Sequence, residues 1–346
     1  MTVPPDTPTA LALAGLERAI YLLDRGLAPA TKVRAFGRAA DIVRSLDDDE
    51  LTRRCGAGTM TALDGIGPST GAVIVDSVLA RRCDYLERLD AASVQQATVG
   101  AELRAALRGD LHCHSTWSDG GAPVEAMART AMALGHDYLV ITDHSPRLTI
   151  AHGLSPERLT AQLAEIADVN RRLEPFRVLT GTEVDILVDG SLDLPDEDLA
   201  LLDIVVASVH SKLAMAHDEM TARLVAAVTS PHVDVLGHCT GRQIMGTARA
   251  ESRFDHHAVF SACAAGHTAV EINCRPERQD PRPELLQIAL DAGCLVAIDT
   301  DAHSPGQMEW QVSGCDTAAR LGIDPERVIN TWDSDRLLRW ATDRAA

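Results

Sequence analysis

The stretch DLHCHSTWSDG, residues 110–120, sets His112 and His114 two residues apart and follows them with Asp119. In an extended segment residues i and i+2 project from one face, so the two imidazoles are expected to point the same way. Far along the chain DTDAHSP repeats the device, with Asp301 and His303 expected on one strand face. Imidazoles and carboxylates together ligate divalent cations, and mixed nitrogen and oxygen donors suit Zn, Mn or Fe better than Ca or Mg. An isolated H-x-H pair is weak by itself, so the rest of the chain has to supply further ligands.

It does so at regular intervals. Apolar, β-rich runs recur as DLHCHS, YLVITDHS, FRVLTGTEVDI, DIVVASVHS, VDVLGHCTG, AVEINC and LVAIDTDAHS, with amphipathic stretches such as SPERLTAQLAEIADVNRRL between them. The polar residues closing these runs are His112, His144, Glu183, His210, His238, Glu271 and Asp301, spaced 27 to 39 residues apart. Each gap is about one βα unit. Such alternation predicts a parallel α/β sheet or barrel. Seven units in series, with no glycine-rich nucleotide loop after the first strand, favour the closed barrel, whose chemistry gathers at the C-terminal strand ends. Six of the 13 histidines fall there: His112, His114, His144, His210, His238 and His303. Cys113 and Cys239 neighbour them but alternate to the other face, and are expected to be core thiols.

In order and spacing, DLHCHSTWSDG, ITDHS, GTEVDI, SVHS, LGHCTGR, EINCRPER and DTDAHSP resemble the PHP (polymerase and histidinol phosphatase) domain from residue 110 to about 330. Within that family the chain looks most similar to the C-terminal PHP domain of bacterial family X DNA polymerases. The resemblance implies a distorted (β/α)7 barrel with three divalent metal ions. His112, His114, Glu183 and Asp301 would hold the first; Glu183, His210 and His238 the second, with Glu183 bridging; Asp119, His144 and His303 the third. It further implies phosphate-ester hydrolysis, with Glu183 and Asp301 catalytic, Arg242 and Arg278 clamping phosphate oxygens, and Asn273 orienting the substrate.

Residues 1–105 read as a separate helical, Ala/Leu-rich domain, leaving 106–346 for the barrel. ATKVRAFGRAADIVRSL and LDGIGPS resemble the small N-terminal domain of family X polymerases. The glycines Gly65 and Gly67 would form its helix-hairpin-helix turn on a DNA phosphate, and Lys32, Arg34 and Arg38 a 5′-phosphate patch. The polymerase catalytic domain that normally separates these parts is missing, since LRAALRGDLHCH joins them directly. The position of that family's lyase lysine falls on Val73. Neither polymerase nor Schiff-base lyase activity is therefore expected.

Charge bounds the partners. The chain carries a formal net charge of −18, and its acidity is uneven. The first 108 residues hold 13 basic and 14 acidic side chains, the rest 19 and 36. That balance argues against indiscriminate nucleic-acid binding and leaves two substrates in contention. One is a DNA end, cleaved by a 3′-5′ exonuclease that also acts at abasic sites. The other is a small phosphomonoester, as for a histidinol-phosphatase-type enzyme. The eight cysteines form no C-x-x-C pair, no apolar run approaches a membrane span, and the expected setting is the reducing cytoplasm. The sequence leaves the oligomeric state open.

Overall fold

A computed structural model describes residues 6–345 and divides the chain into two compact units. The first contains helices α1 (Pro8–Arg25), α2 (Ala30–Ser45), α3 (Asp48–Ala57), α4 (Pro68–Val78) and α5 (Asp84–Ser93). Along α1 the buried residues Ala12, Leu16, Ala19 and Leu23 recur at helical spacing and meet Phe36, Val43, Leu51, Val73 and Ile74 in one core. Val73 is thus a core residue. Gly65 adopts φ +86, a left-handed turn that suits glycine, and Pro68 opens α4 directly after Gly67. The segment before that turn forms only a single 3-10 turn, Met60–Ala62, in place of a full first helix.

In this division the first unit ends at Gln95 and also takes in Pro305–Gln307, and the second begins at Gln96. The reason is local: the Asp316 carboxylate accepts hydrogen bonds from the backbone amides of Thr98 and Gly100, each at 2.9 Å, which draws this stretch into the second unit.

That unit begins with α6 (Ala101–Ala106) and then alternates: β1 (Gly109–Asp110), α7 (Val124–Ala133), β2 (Tyr138–Ile141), α8 (Pro156–Leu173), β3 (Arg177–Asp185), α9 (Asp196–Leu199), β4 (Ile204–Ser208), α10 (His217–Val228), β5 (Val235–Leu236), α11 (His256–Ala265), β6 (Ala269–Asn273), α12 (Pro283–Asp291), β7 (Val296–Asp299), α13 (Gln311–Arg320) and α14 (Ser334–Ala345). The strands pair in sequence order, every pair parallel. Both sheet faces are covered, as parallel sheets require. On β2, Leu139 and Ile141 meet the helix residues Val124, Met127, Ile166 and Val169. Tyr138 and Val140 instead join Leu179, Val206 and Val235 in the interior, which Trp332 and Leu337 plug.

The sheet is nearly closed into a distorted (β/α)7 barrel. Between β7 and β1 there is no ladder, only stitching. Cys113 bridges Ala302, and the His114 amide donates to the Ala302 carbonyl at 2.8 Å. The Leu111 amide donates to Asp299 Oδ1 at 2.9 Å, and the Thr300 amide to Asp110 Oδ1 at 3.2 Å.

Candidate metal centre

The strands are short, so most of the chemistry sits just beyond them. The β1 loop carries His112, His114 and Asp119; His144 follows β2, Glu183 lies within β3, His210 follows β4, His238 follows β5, and Asp301 and His303 follow β7. All nine side chains converge on one cluster, which reads as three overlapping ligand groups. In the first, His112, His114 and Asp301 gather, with Glu183 Oε2 3.4 Å from His112 Nε2 and 3.6 Å from His114 Nε2. In the second, His144, Glu183 and His210 gather, and His238 Nε2 lies 2.7 Å from Glu183 Oε1. In the third, Asp119, His144 and His303 are joined by His114. His144 therefore borders two groups, its Nδ1 2.9 Å from Glu183 Oε2 and its Nε2 3.5 Å from Asp119 Oδ1.

The donor set fits divalent cations. Nε2 of His112 and both ring nitrogens of His114 are buried without a hydrogen-bond partner, a costly state that a bound ion relieves. The spacing agrees. Four ligands about 2.0–2.1 Å from a tetrahedral ion stand about 3.3 Å apart. Here His114 Nε2 and Asp301 Oδ1 are 3.4 Å apart, His210 Nε2 and Glu183 Oε1 3.2 Å, and His303 Nε2 and Asp119 Oδ1 3.3 Å.

The surroundings orient the ligands. Glu271 Oε1 accepts from His112 Nδ1 at 2.6 Å, directing Nε2 into the cluster, and Asp185 Oδ1 lies 3.2 Å from His210 Nδ1. Such carboxylate–imidazole pairs fix the ring and raise its ligand strength. Asp143 holds the loop that delivers Asp119: its carboxylate accepts from the backbone amides of Ser115 at 2.8 Å and Ser118 at 3.1 Å and from the Gln162 side-chain Nε2 at 2.5 Å. The loop also needs glycine at 120, where a Cβ would lie 2.7 Å from the Ser115 carbonyl carbon and oxygen.

Electrostatics separate the two opening histidines. Burial works against a charged His112, but the Glu271 and Glu183 carboxylates override it and hold its pKa well above the ordinary value. Burial, reinforced by His303 and His144, drives that of His114 well below it. Burial likewise opposes charge on Glu183 and Asp301. The surrounding histidines keep Glu183 well below the usual carboxylate range, and Arg275, with His114, His112 and Arg278, does the same for Asp301.

Three expectations need correction. Asp301 and His303 do not share a strand face: β7 ends at Asp299 and Asp301 takes φ +53, so Asp301 joins the first group and His303 the third. Arg242 is engaged by other groups of the protein, its Nε donating to the Arg278 carbonyl at 2.9 Å and its Nη1 to Glu251 at 3.2 Å. It supports the loop that carries Arg278. Asn273 is buried, and its Nδ2 donates to Glu271 at 3.1 Å and Asp301 at 3.2 Å, so it orients ligands and leaves no amide proton for a substrate. Arg278 does face the cluster, its Nε 3.4 Å from Asp301 Oδ2.

Sequence reading missed Glu271 as an orienting group, although it closes a strand in the same series. It also missed Asp185, which shares a face of β3 with Glu183 at i+2, and Arg275, which no spacing announced. In the first unit, Lys32, Arg34 and Arg38 are exposed on α2, and the Lys32 ammonium lies 5.6 Å from the centroid of the Tyr85 ring.

A family model, "PHP domain", matches residues 110–289, which is more than half of the chain. The chain belongs to the PHP domain family. In this family of metal-dependent phosphoesterases it is 42% identical over 225 residues to the DNA polymerase/3'-5' exonuclease PolX of Bacillus subtilis (strain 168). That match covers 65% of this chain but only 39% of the relative. A probable phosphatase of Thermoanaerobacter sp. (strain X514) is 27% identical over 234 residues, covering 64% of this chain and 89% of the relative. Among solved structures, the histidinol phosphate phosphatase of Lactococcus lactis, complexed with Zn, L-histidinol and phosphate, is 16% identical with a TM-score of 0.44, covering 61% of this chain and 93% of that one. Among the described residues no helix of this PHP protein is long and apolar enough to cross a membrane.

Proposed function

We propose that this PHP protein hydrolyses phosphodiester bonds at DNA ends as a 3′-5′ exonuclease that also cleaves at abasic sites, and that it has no polymerase activity. The observation that carries this reading is the contrast in similarity across the barrel: 42% identity to the PolX relative against 27% to the probable phosphatase. The exposed cations Lys32, Arg34 and Arg38, with the Gly65–Gly67 turn, supply a surface for the DNA backbone.

In this reading His112, His114, Glu183 and Asp301 hold one divalent ion, Glu183, His210 and His238 a second, and Asp119, His144 and His303 a third. Bound there, the ions lower the pKa of water, polarise the phosphoryl oxygens and stabilise the leaving oxygen. Glu183 spans two of the positions, its Oε2 facing His112 and its Oε1 facing His210 and His238. Asp301, kept ionised by its cationic neighbours, accepts a hydrogen bond from the attacking water and aims it. Arg278 is the one of the two proposed arginines that meets the phosphate oxygens.

A second reading has its own support. The probable-phosphatase relative is matched over 89% of its length, and the chain has only two lysines, Lys32 and Lys212, for a polyanion. A small phosphomonoester is the substrate in that case. The test compares Mn-loaded protein on labelled single-stranded DNA, on histidinol phosphate and on a chromogenic phosphomonoester. A ladder of shortened DNA is expected, and turnover of the monoesters alone refutes the exonuclease reading.

A further inference from the structure

The turn after β7 has to do two things at once. Asp301 faces the first ligand group and His303, two residues later, the third. Asp301 achieves this with a left-handed backbone, φ +53, which residues with a Cβ avoid. Three successive carbonyls of the turn are gripped, two by the loop after β1 and one by the loop after β6. The Ala302 carbonyl accepts from the His114 amide at 2.8 Å, and the His303 carbonyl from the Gly121 amide at 2.6 Å. Backbone supplies those two grips whatever the side chains. The Asp301 carbonyl instead accepts from Arg275 Nη1 at 2.8 Å, a side chain reaching over from the loop after β6.

The same carbonyl lies 2.9 Å from His303 Nδ1. Nε2 of the same ring lies 3.3 Å from Asp119 Oδ1. Arg275 Nη1 stands 2.9 Å from His303 Nδ1 and 3.6 Å from Asp301 Oδ1, so one nitrogen touches both halves of the turn. The guanidinium is itself held in place, 5.6 Å from the centroid of the Trp310 ring and with Nη2 3.4 Å from Glu277 Oε1.

We propose that Arg275 is a positioning residue: it fixes the Asp301–His303 turn so that two neighbouring side chains serve different ion positions. The proposal rests on the metal-centre reading above. It also makes a prediction opposite in sign to simple electrostatics. A cation 3.6 Å from a ligand carboxylate competes with a metal ion, so if Arg275 were only a charge, removing it would tighten metal binding. If it positions the turn, removing it loosens binding despite the relieved repulsion.

The experiment is equilibrium dialysis of full-length protein against graded Mn or Zn, followed by elemental analysis and a thermal melt. Arg275→Met is expected to weaken the ion held by Asp119, His144 and His303 by about 10- to 100-fold, the range for loss of a group that orients ligands. The ion between Glu183, His210 and His238 keeps its affinity and reports that the barrel is intact. Arg275→Lys retains the charge without the planar two-point fork, and is expected to weaken the same ion by about tenfold. Unchanged or tighter binding in Arg275→Met overturns the proposal. Should that variant not fold, unchanged affinities in Arg275→Lys overturn it instead. Wild-type protein that takes up no ion would bring down the metal-centre reading and this proposal with it, whereas ion uptake equal in wild type and variants removes Arg275 alone.

Discussion

Glu271→Gln is a change of one atom whose consequences can be worked through. The carboxylate has three contacts, and each needs it as an acceptor: Oε1 takes the His112 Nδ1 proton at 2.6 Å, while Oε2 takes the His238 amide at 2.5 Å and the Asn273 side-chain amide at 3.1 Å. Glutamine offers one oxygen and one donating NH2. If its oxygen replaces Oε2, the NH2 faces His112 Nδ1 and forces the ring proton onto Nε2, the nitrogen that faces Glu183 and has no other partner. If its oxygen replaces Oε1, the NH2 faces two other donors in a buried site. The first arrangement puts a proton on the nitrogen that would ligate the ion, and the second leaves buried donors unmatched, at about 1–3 kcal/mol. The expected loss in affinity at the first ion position is about 10- to 100-fold, with a smaller loss at the second through His238. The third position, which Glu271 does not touch, is expected to be unaffected. Metal titration by calorimetry with elemental analysis at each plateau measures this. Wild-type affinity at every position would falsify the orienting role given to Glu271.

Other perturbations separate the remaining parts. His210→Ala should abolish hydrolysis of any phosphate ester while leaving the circular dichroism melt nearly unchanged; full activity would remove the second ligand group from the mechanism. His136 is buried, and desolvation, aided by Arg104, lowers its pKa to about 4. The unfolded chain binds that proton near pH 6.5, so this site's contribution is complete above pH 6.5 and falls by about 3 kcal/mol as pH drops through 4. Denaturation of chelator-treated wild type and His136→Gln across that window should show the acid-side slope reduced in the variant; parallel curves refute the assignment. Arg34→Glu with Arg38→Glu should weaken cleavage of DNA about tenfold at low salt and spare the chromogenic ester. Equal loss on both substrates would show that α2 does not contact DNA.

The site was legible in the sequence because βα units of regular length bring successive strand ends to one mouth. That alone gathers His112, His144, Glu183, His210, His238 and Asp301. What the sequence hid is what depends on backbone departures and long-range partners. Asp301 has no glycine to announce its positive φ, so a two-residue periodicity carried over from His112 and His114 failed at Asp301 and His303. Arg242 and Arg278 look equivalent as arginines near strand ends. They differ because Glu251 captures the Arg242 guanidinium, whereas Arg278 lies beside Asp301. Equally hidden was the capture of the Thr98 and Gly100 amides by Asp316, more than two hundred residues away in sequence.

The net charge of −18 weighs less against a DNA substrate than it first suggests. Three of the acids, Asp119, Glu183 and Asp301, belong to the ligand cluster, and Arg275 and Arg278 stand within 3.6 Å and 3.4 Å of Asp301. With three divalent ions in the proposed positions, six positive charges and two guanidinium groups outweigh the three ligand carboxylates together with Glu271 and Asp185, so the mouth is cationic. A phosphate at the mouth feels these charges at contact range. Surface acids farther than about 8 Å from it are largely screened at physiological salt. The field that a substrate meets is thus set by the loaded centre, not by the composition of the chain. Stripping the metals should accordingly do more than stop the chemistry. It should also weaken capture of single-stranded DNA, and steeply at low ionic strength, where the acidic surface is no longer screened. DNA affinity that is the same with and without metal would place capture elsewhere on the protein, with the exposed cations of α2 as the alternative surface.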